Sequence, residues 1–256
     1  MSTKERSVIA TQLRALTPAR VGLGRTGVSQ QTRDLLDFQR AHAQARDAVH
    51  ARLDANALGA AIGEVFGGGV VRLHSAAADR ATYLQRPDVG RMLDPESSSI
   101  LAGMASGQSD GWDLSLIVAD GLSALAVERH AVALLAELLA RLDGWRVAPI
   151  CVVEQGRVAI GDTIGEALRA HLTVVLIGER PGLSSPDSLG AYVTWGPQPG
   201  RTDAERNCIS NIRAEGLTCA EAAGELATLL AEARMRRLTG VELKRERQLT
   251  KGNEPA

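Results

Sequence analysis

Apolar residues recur every three or four positions from Gln30 to Leu58, where QQTRDLLDFQRAHAQARDAVHARLDANAL sets Leu35, Phe38, Ala41, His42, Ala45, Val49 and Leu53 along one side. Arg33, Asp37, Arg40, Arg46 and Asp47 occupy the other. The spacing predicts one long amphipathic helix with Ser29 as its N-cap. Upstream, VIATQLRALTPAR gives one or two helical turns ended by Pro18. After Gly67-Gly68-Gly69, VVRLHS reads as a short strand and SAAADRATYLQRPDVGRML as a helix stopped before Pro87. DPESSSILAGMASGQSDGW, rich in Ser, Gly and Asp, reads as a surface segment dividing this front region from the rest of the chain.

The pattern then changes. DLSLIVAD has a continuous apolar centre, GLSALAVERHAVALLAELLARL is helical, and Pro149 to Val153 is a second apolar strand. GDTIGEALRAHL gives a shorter helix, and TVVLIGERPG, with Val174 to Ile177 in succession, is the most strand-like run. AYVTWG suggests a further strand, and EGLTCAEAAGELATLLAEARMRRL a last long helix with a basic end. Strands buried on both faces and alternating with helices predict an α/β fold, a parallel sheet with right-handed crossovers and helices on both faces. The expected organisation is a mostly helical N-terminal region over 1–108, an α/β domain over 109–240, and a frayed tail over 241–256.

Composition narrows the function classes. The 256 residues are 45% hydrophobic but only 3% aromatic, so the core is aliphatic. A formal net charge of -1 argues against a nucleic-acid surface or an anionic membrane as partner. No apolar run reaches the length of a membrane span, and MSTKERSVIATQ lacks the apolar centre of a secretory signal, which predicts a cytoplasmic protein. Cys151, Cys208 and Cys219 are widely spaced and read as reduced thiols. His42, His50, His74, His130 and His171 show no metal-ligand spacing.

VGLGRTG, Val21 to Gly27, has the literal spacing of a dinucleotide loop, but no strand precedes it and no βαβ unit surrounds it. In an open parallel sheet, ligands bind beyond the carboxyl ends of the strands. Three such places carry Asp120-Gly121-Leu122-Ser123, Glu154 to Val158, and Gly178 to Asp187. They form either a binding crevice or the Gly-, Asp- and Ser-rich turns common to any α/β protein. There is no G-x-S-x-G elbow, no phosphate-binding G-x-x-x-x-G-K-[ST] and no D-x-H-x-x-G. Cys208 has no His near it in sequence, and a crevice without acid, base or nucleophile suggests binding. The rival readings are a stand-alone hydrolase or transferase using Asp120, Ser123 or Cys208, and a structural subunit that touches no cofactor.

TPARVGLGRTG, LLDFQRAHAQARDAVH, YLQRPDVGR, VADGLSALAVERHA, CVVEQGRVAIGD, VLIGERPGLSSPDSLGAYVTW, PGRTDAERNCISNIR and LTGVELK succeed one another from about Thr17 to Lys244. Together they resemble the small subunit of ethanolamine ammonia-lyase. The resemblance implies a Rossmann-like domain that covers adenosylcobalamin at an interface with a large subunit, itself a β/α barrel holding the radical chemistry. It implies a lyase complex of paired large and small subunits that deaminates ethanolamine to acetaldehyde and ammonia, with no catalytic group in this chain. By the match, the cofactor contacts fall on Val158, Glu179 and Cys208: an apolar wall, an acceptor for peripheral amides, and a small soft group for close approach. Arg180, Arg206 and Asn207, adjacent to these, are second candidates, and Asp120 and Gly121 third. Some family members reside in a bacterial microcompartment; the short segment before Thr17 argues against a targeting peptide here.

Overall fold

The structure is a computed structural model that describes residues 3–17, 19–105 and 111–243. Helix α1 (Thr3–Leu16) leads into VGLGRTG, which folds as a turn region and not as a nucleotide loop. Strands β1 (Arg25–Thr26) and β2 (Ser29–Gln30) make a two-stranded antiparallel hairpin. Gly27, at φ 65°, lies in the tight turn, where a side chain would be strained. Arg14 holds the preceding chain, donating to the carbonyls of Val21 at 3.0 Å and Gly22 at 2.8 Å.

The single long helix expected next is two, α2 (Thr32–His50) and α3 (Ala55–Phe66). Asp54 makes the break by accepting from the amides of Asn56 at 3.1 Å and Ala57 at 2.9 Å, which starts a new helix. Ser29 sits in β2, and Gln31 is the N-cap residue of α2. Strand β3 (Val70–His74) and the short helix α4 (Arg80–Gln85) come next. The Ser/Gly-rich stretch expected as surface loop begins with a helix, α5 (Pro95–Ala105). Asp94 accepts from the Ser97 amide at 2.7 Å and Pro95 opens the first turn, a start signal that composition alone hid. The rest of that stretch, 106–110, lies outside the described residues.

Strand β4 (Trp112–Ala119), helix α6 (Ala124–Leu139), strand β5 (Ile150–Glu154), helix α7 (Ile160–Ala167) and strand β6 (Ala170–Gly178) complete the alternation. Strands β7 (Leu189–Trp195) and β8 (Arg206–Ile212) and helix α8 (Cys219–Arg236) close the fold. The six-stranded sheet has the order β3-β5-β4-β6-β7-β8. Its first four strands are parallel, whereas β7 and β8 are antiparallel to their neighbours. The expectation of a parallel sheet therefore needs correction to a mixed one. No helix lies between β6 and β7, and parallel neighbours require a crossover that a bare loop does not supply.

Helices cover both faces. α3, α6 and α8 enclose one apolar layer, which includes Leu116, Val118, Leu134, Leu176 and Leu226. α5 and α7 cover the other, with Leu101, Ile117, Ile160, Ile164 and Val175. Gly161 and Gly165 let α7 lie directly on β6: side chains there would come within 2.3 Å of Val175 Cγ2 and 2.2 Å of Thr173 Oγ1. On this second face, Cys208 and Ser210 of β8 remain exposed. The tail expected to fray from residue 241 keeps its order as far as Leu243, which is buried; residues 244–256 lie outside the described residues. Among the described residues, no helix is long and apolar enough to cross a membrane.

Candidate functional site

The crevice between the carboxyl ends of β4 and β5 is filled by the protein's own side chains. Arg80 of α4 reaches in, donating to Gly121 O at 2.8 Å, Gln155 Oε1 at 3.4 Å and Asp120 Oδ2 at 3.4 Å. Asp120 also accepts from the Gly156 amide at 3.2 Å, and its side chain is 1% exposed. Burial pushes its pKa up to about 6, against the opposing pull of Arg80 and nearby backbone amides. Asp120 and Gly121, the third candidates for cofactor contact, are thus internal groups. Gly121 and Gly178 bring the ends of β4 and β6 to backbone contact: a Cβ on Gly121 would fall 2.3 Å from Gly178 O, and one on Gly178 2.1 Å from Ser123 O.

The open face of β7 and β8 offers a different environment. Tyr192 of β7 pairs in register with Cys208 of β8, which makes phenol and thiol cross-strand neighbours. Cys208 is exposed as a residue. Burial raises the thiol pKa, the neighbouring Tyr192 phenol opposes this, and the charge of Glu179 adds to it. The Tyr192 phenol is raised too, by burial first and then by Cys208 and Glu179. Glu179, just beyond β6, accepts through Oε2 from Ser188 Oγ and from the Asn211 amide at 3.3 Å. Its Oε1 lies 2.9 Å from where a Cβ of Gly190 would stand, so the glycine lets the carboxylate pack directly on the β7 backbone. Val158 is partly buried and packs, as Tyr192 does, against the apolar cluster that holds Ile160 and Ile177.

The second candidates separate. Arg180 is exposed beside Glu179. The Arg206 guanidinium is turned inward, with both nitrogens of its fork 2.6 Å from the Asp162 carboxylate and further bonds to Thr194 Oγ1 and Arg201 O at 2.9 Å. Burial works against its charge, but Asp162, helped by Asp203 and Glu205, leaves the pKa raised. Asn207 alternates to the opposite face, where it exchanges hydrogen bonds with Gly240, 2.7 Å from its amide and 3.2 Å from its carbonyl. Arg206 and Asn207 anchor the strand just ahead of Cys208, one on each of its faces. Sequence reasoning missed Tyr192, whose place beside Cys208 depends on the antiparallel register of β7 and β8. It also missed Arg80 and Tyr83; YLQRPDVGR was an available signal for Tyr83 alone.

The loop from Glu179 to Ser188 is tied at several points. Glu179 N donates to Ser188 O at 2.9 Å, Ser123 Oγ to Pro186 O at 2.9 Å, and Arg213 Nη1 to Ser184 O at 3.0 Å. Arg129 Nη1 meets Asp187 Oδ2 at 2.6 Å, and His130 Nε2 stands 3.7 Å from the same oxygen. Among the described residues, no group of three or more His, Cys, Asp or Glu is placed to hold a metal ion. The arrangement is an open strand face with one carboxylate, one phenol and one thiol, bordered by an apolar cluster.

Residues 9–244 match the family model described as ethanolamine ammonia-lyase light chain (EutC). The chain belongs to this family. It is 57% identical over 240 residues to the ethanolamine ammonia-lyase small subunit of Pseudomonas syringae pv. tomato, covering 93% of this chain and 83% of that one. It is 57% identical over 237 residues to the small subunit of Xanthomonas campestris pv. campestris, covering 92% of this chain and 87% of that one. It is also 57% identical over 242 residues to the small subunit of Azotobacter vinelandii, covering 94% and 89% of the two chains.

Proposed function

We propose that this chain, as a small subunit of ethanolamine ammonia-lyase, carries one side of an adenosylcobalamin site and supports deamination of ethanolamine without supplying a catalytic group. The observation that carries the reading is the gathering of Glu179, Tyr192 and Cys208 on one open sheet face, with Val158 on the adjoining apolar cluster. A broad, flat macrocycle with amide side chains fits such a face. The open floor at Cys208 permits close approach, the partly exposed Glu179 carboxylate stands at its edge, and Val158 adds an apolar border.

Glu179 accepts hydrogen bonds from peripheral amides, and its hold by Ser188 and Asn211 fixes where it does so. Val158 excludes water from the cofactor's edge, and Cys208 leaves space for it. When bound, adenosylcobalamin would supply the radical chemistry for converting ethanolamine to acetaldehyde and ammonia. The large subunit holds the substrate, and the two chains pair and assemble further as a cytoplasmic hetero-oligomer.

The test is ethanolamine deamination with adenosylcobalamin, assayed for this chain alone, the matching large subunit alone, and the two mixed. Activity in the mixture only is the expected result. Turnover by this chain alone, or none in a mixture that demonstrably assembles, overturns the reading.

A further inference from the structure

The backbone groups of Gly156 and the amide of Arg157, just ahead of Val158, are tied to a few residues from the YLQRPDVGR stretch and the end of β4, and Arg80 of α4 holds the neighbouring Gln155 side chain. The Tyr83 hydroxyl donates to Gly156 O at 3.1 Å. The Gly156 amide donates to Asp120 Oδ1 at 3.2 Å, the Arg157 amide to Gly90 O at 2.8 Å, and Arg157 Nη2 to Tyr83 O at 3.1 Å. Arg80 holds Gln155 Oε1 at 3.4 Å, and Gln155 itself turns the chain at φ 56°, a left-handed conformation that a residue with a side chain keeps only under restraint. Tyr83 is wholly buried, and its ring lies between two guanidinium groups, 4.2 Å from Arg157 Cζ and 4.8 Å from Arg80 Cζ.

We propose that Tyr83 is a positioning residue for adenosylcobalamin: it sets the course of Gly156–Arg157 and so places Val158 at the cofactor. The inference rests on the proposed cofactor site and gives YLQRPDVGR a task that neither composition nor contact with the cofactor assigns. The hydroxyl is the informative atom. Packing of the ring against Arg80 and Arg157 survives its removal, while the Gly156 carbonyl loses its donor and the segment ahead of Val158 one of its five ties. The other four, through Asp120, Gly90, Arg157 and Arg80, keep the loop folded but not fixed.

The experiment is Tyr83→Phe, alone and combined with Val158→Ala, in the full chain assembled with the large subunit. Two quantities are read: amide hydrogen exchange over 155–160, and the adenosylcobalamin Kd by spectrophotometric titration. The inference requires faster exchange over 155–160 in Tyr83→Phe and a Kd raised on the order of 3- to 10-fold, equivalent to about 0.7–1.4 kcal/mol. It also requires that most of the Kd effect vanish in the Val158→Ala background, as it must if Tyr83 acts through Val158. A simply structural role would give additive effects, and additivity overturns the proposal. Unchanged exchange overturns it as well, whatever the Kd. Faster exchange with unchanged Kd overturns the cofactor part; if Val158→Ala alone also leaves the Kd unchanged, the contact at Val158 fails with it, whereas a raised Kd there leaves that contact standing and removes only the role of Tyr83.

Discussion

Arg206 and Asp162 face each other as a fork on a fork, two nitrogens on two oxygens at 2.6 Å, with both side chains almost wholly buried. The pair joins the start of β8 to the first turn of α7 and so fixes the strand that presents Cys208. Removing one partner leaves the other charge buried and alone. Arg206→Ala is therefore expected to destabilise the chain by roughly 3–5 kcal/mol, and Arg206→Lys, which cannot make the fork, to recover only part of that. Urea unfolding of the full chain measures both; a loss under about 1 kcal/mol for Arg206→Ala would show that the pair is not a structural tie.

Gly121→Ala and Gly178→Ala each place a methyl inside backbone contact distance, 2.3 Å from Gly178 O and 2.1 Å from Ser123 O respectively. Neither neighbour is a side chain able to swing aside. Each substitution should cost at least about 1–3 kcal/mol, with Gly121→Ala adding strain from its φ of 56°. Thermal unfolding decides; a Tm unchanged by Gly178→Ala would mean that β4 and β6 part more easily than their spacing implies.

Val158→Glu puts a carboxylate at a partly exposed, apolar border. The expected outcome is cofactor affinity lowered by tenfold or more in the assembled complex, with the Tm of the chain changed little because the new group reaches water. Cobalamin titration of the complex is the measurement, and wild-type affinity would remove Val158 from the cofactor surface.

Asp120 gives the chain a pH-dependent stability of definite sign. Its folded pKa is pushed up from an ordinary 3.8 to about 6, so the folded state holds the proton more tightly than the unfolded chain. The resulting stabilisation is complete below about 3.8 and is lost as the pH rises through about 6, by an amount on the order of 3 kcal/mol. Asp120→Asn carries an overall loss from the unpaired Arg80, but it should lack this slope. Denaturant unfolding of both proteins between pH 4 and 7 tests it. Parallel stability curves would show that the carboxyl is not held protonated by its surroundings.

The alternating half of the fold was legible because its apolar runs are long and continuous: DLSLIVA and TVVLIG admit little but buried strands, and the helices between them fall into place, although Ala170 to Leu172, read as the end of the preceding helix, in fact open β6. β8 was not legible, because RNCISNI is an edge strand with few apolar residues, three of its seven positions being exposed. The break between α2 and α3 and the start of α5 turn on Asp54 and Asp94, whose capping hydrogen bonds override an otherwise helical or otherwise loop-like pattern. At the site, Glu179 and Cys208 were recoverable through the family blocks. Tyr192 was not, since its neighbourhood is set by strand pairing, and Tyr83 was not, since its partner Gly156 is 73 residues away in sequence.

The loop from Glu179 to Ser188 ends in its own strand pair and is held along its length by Ser123, Arg129 and Arg213. Ordering a free backbone consumes about 1–2 kcal/mol per residue of conformational entropy. Here that loss has been absorbed in folding and bears on neither assembly with a partner nor capture of a ligand. A surface prepared in this way binds with much of its contact energy intact, and it favours ligands that match the shape already set.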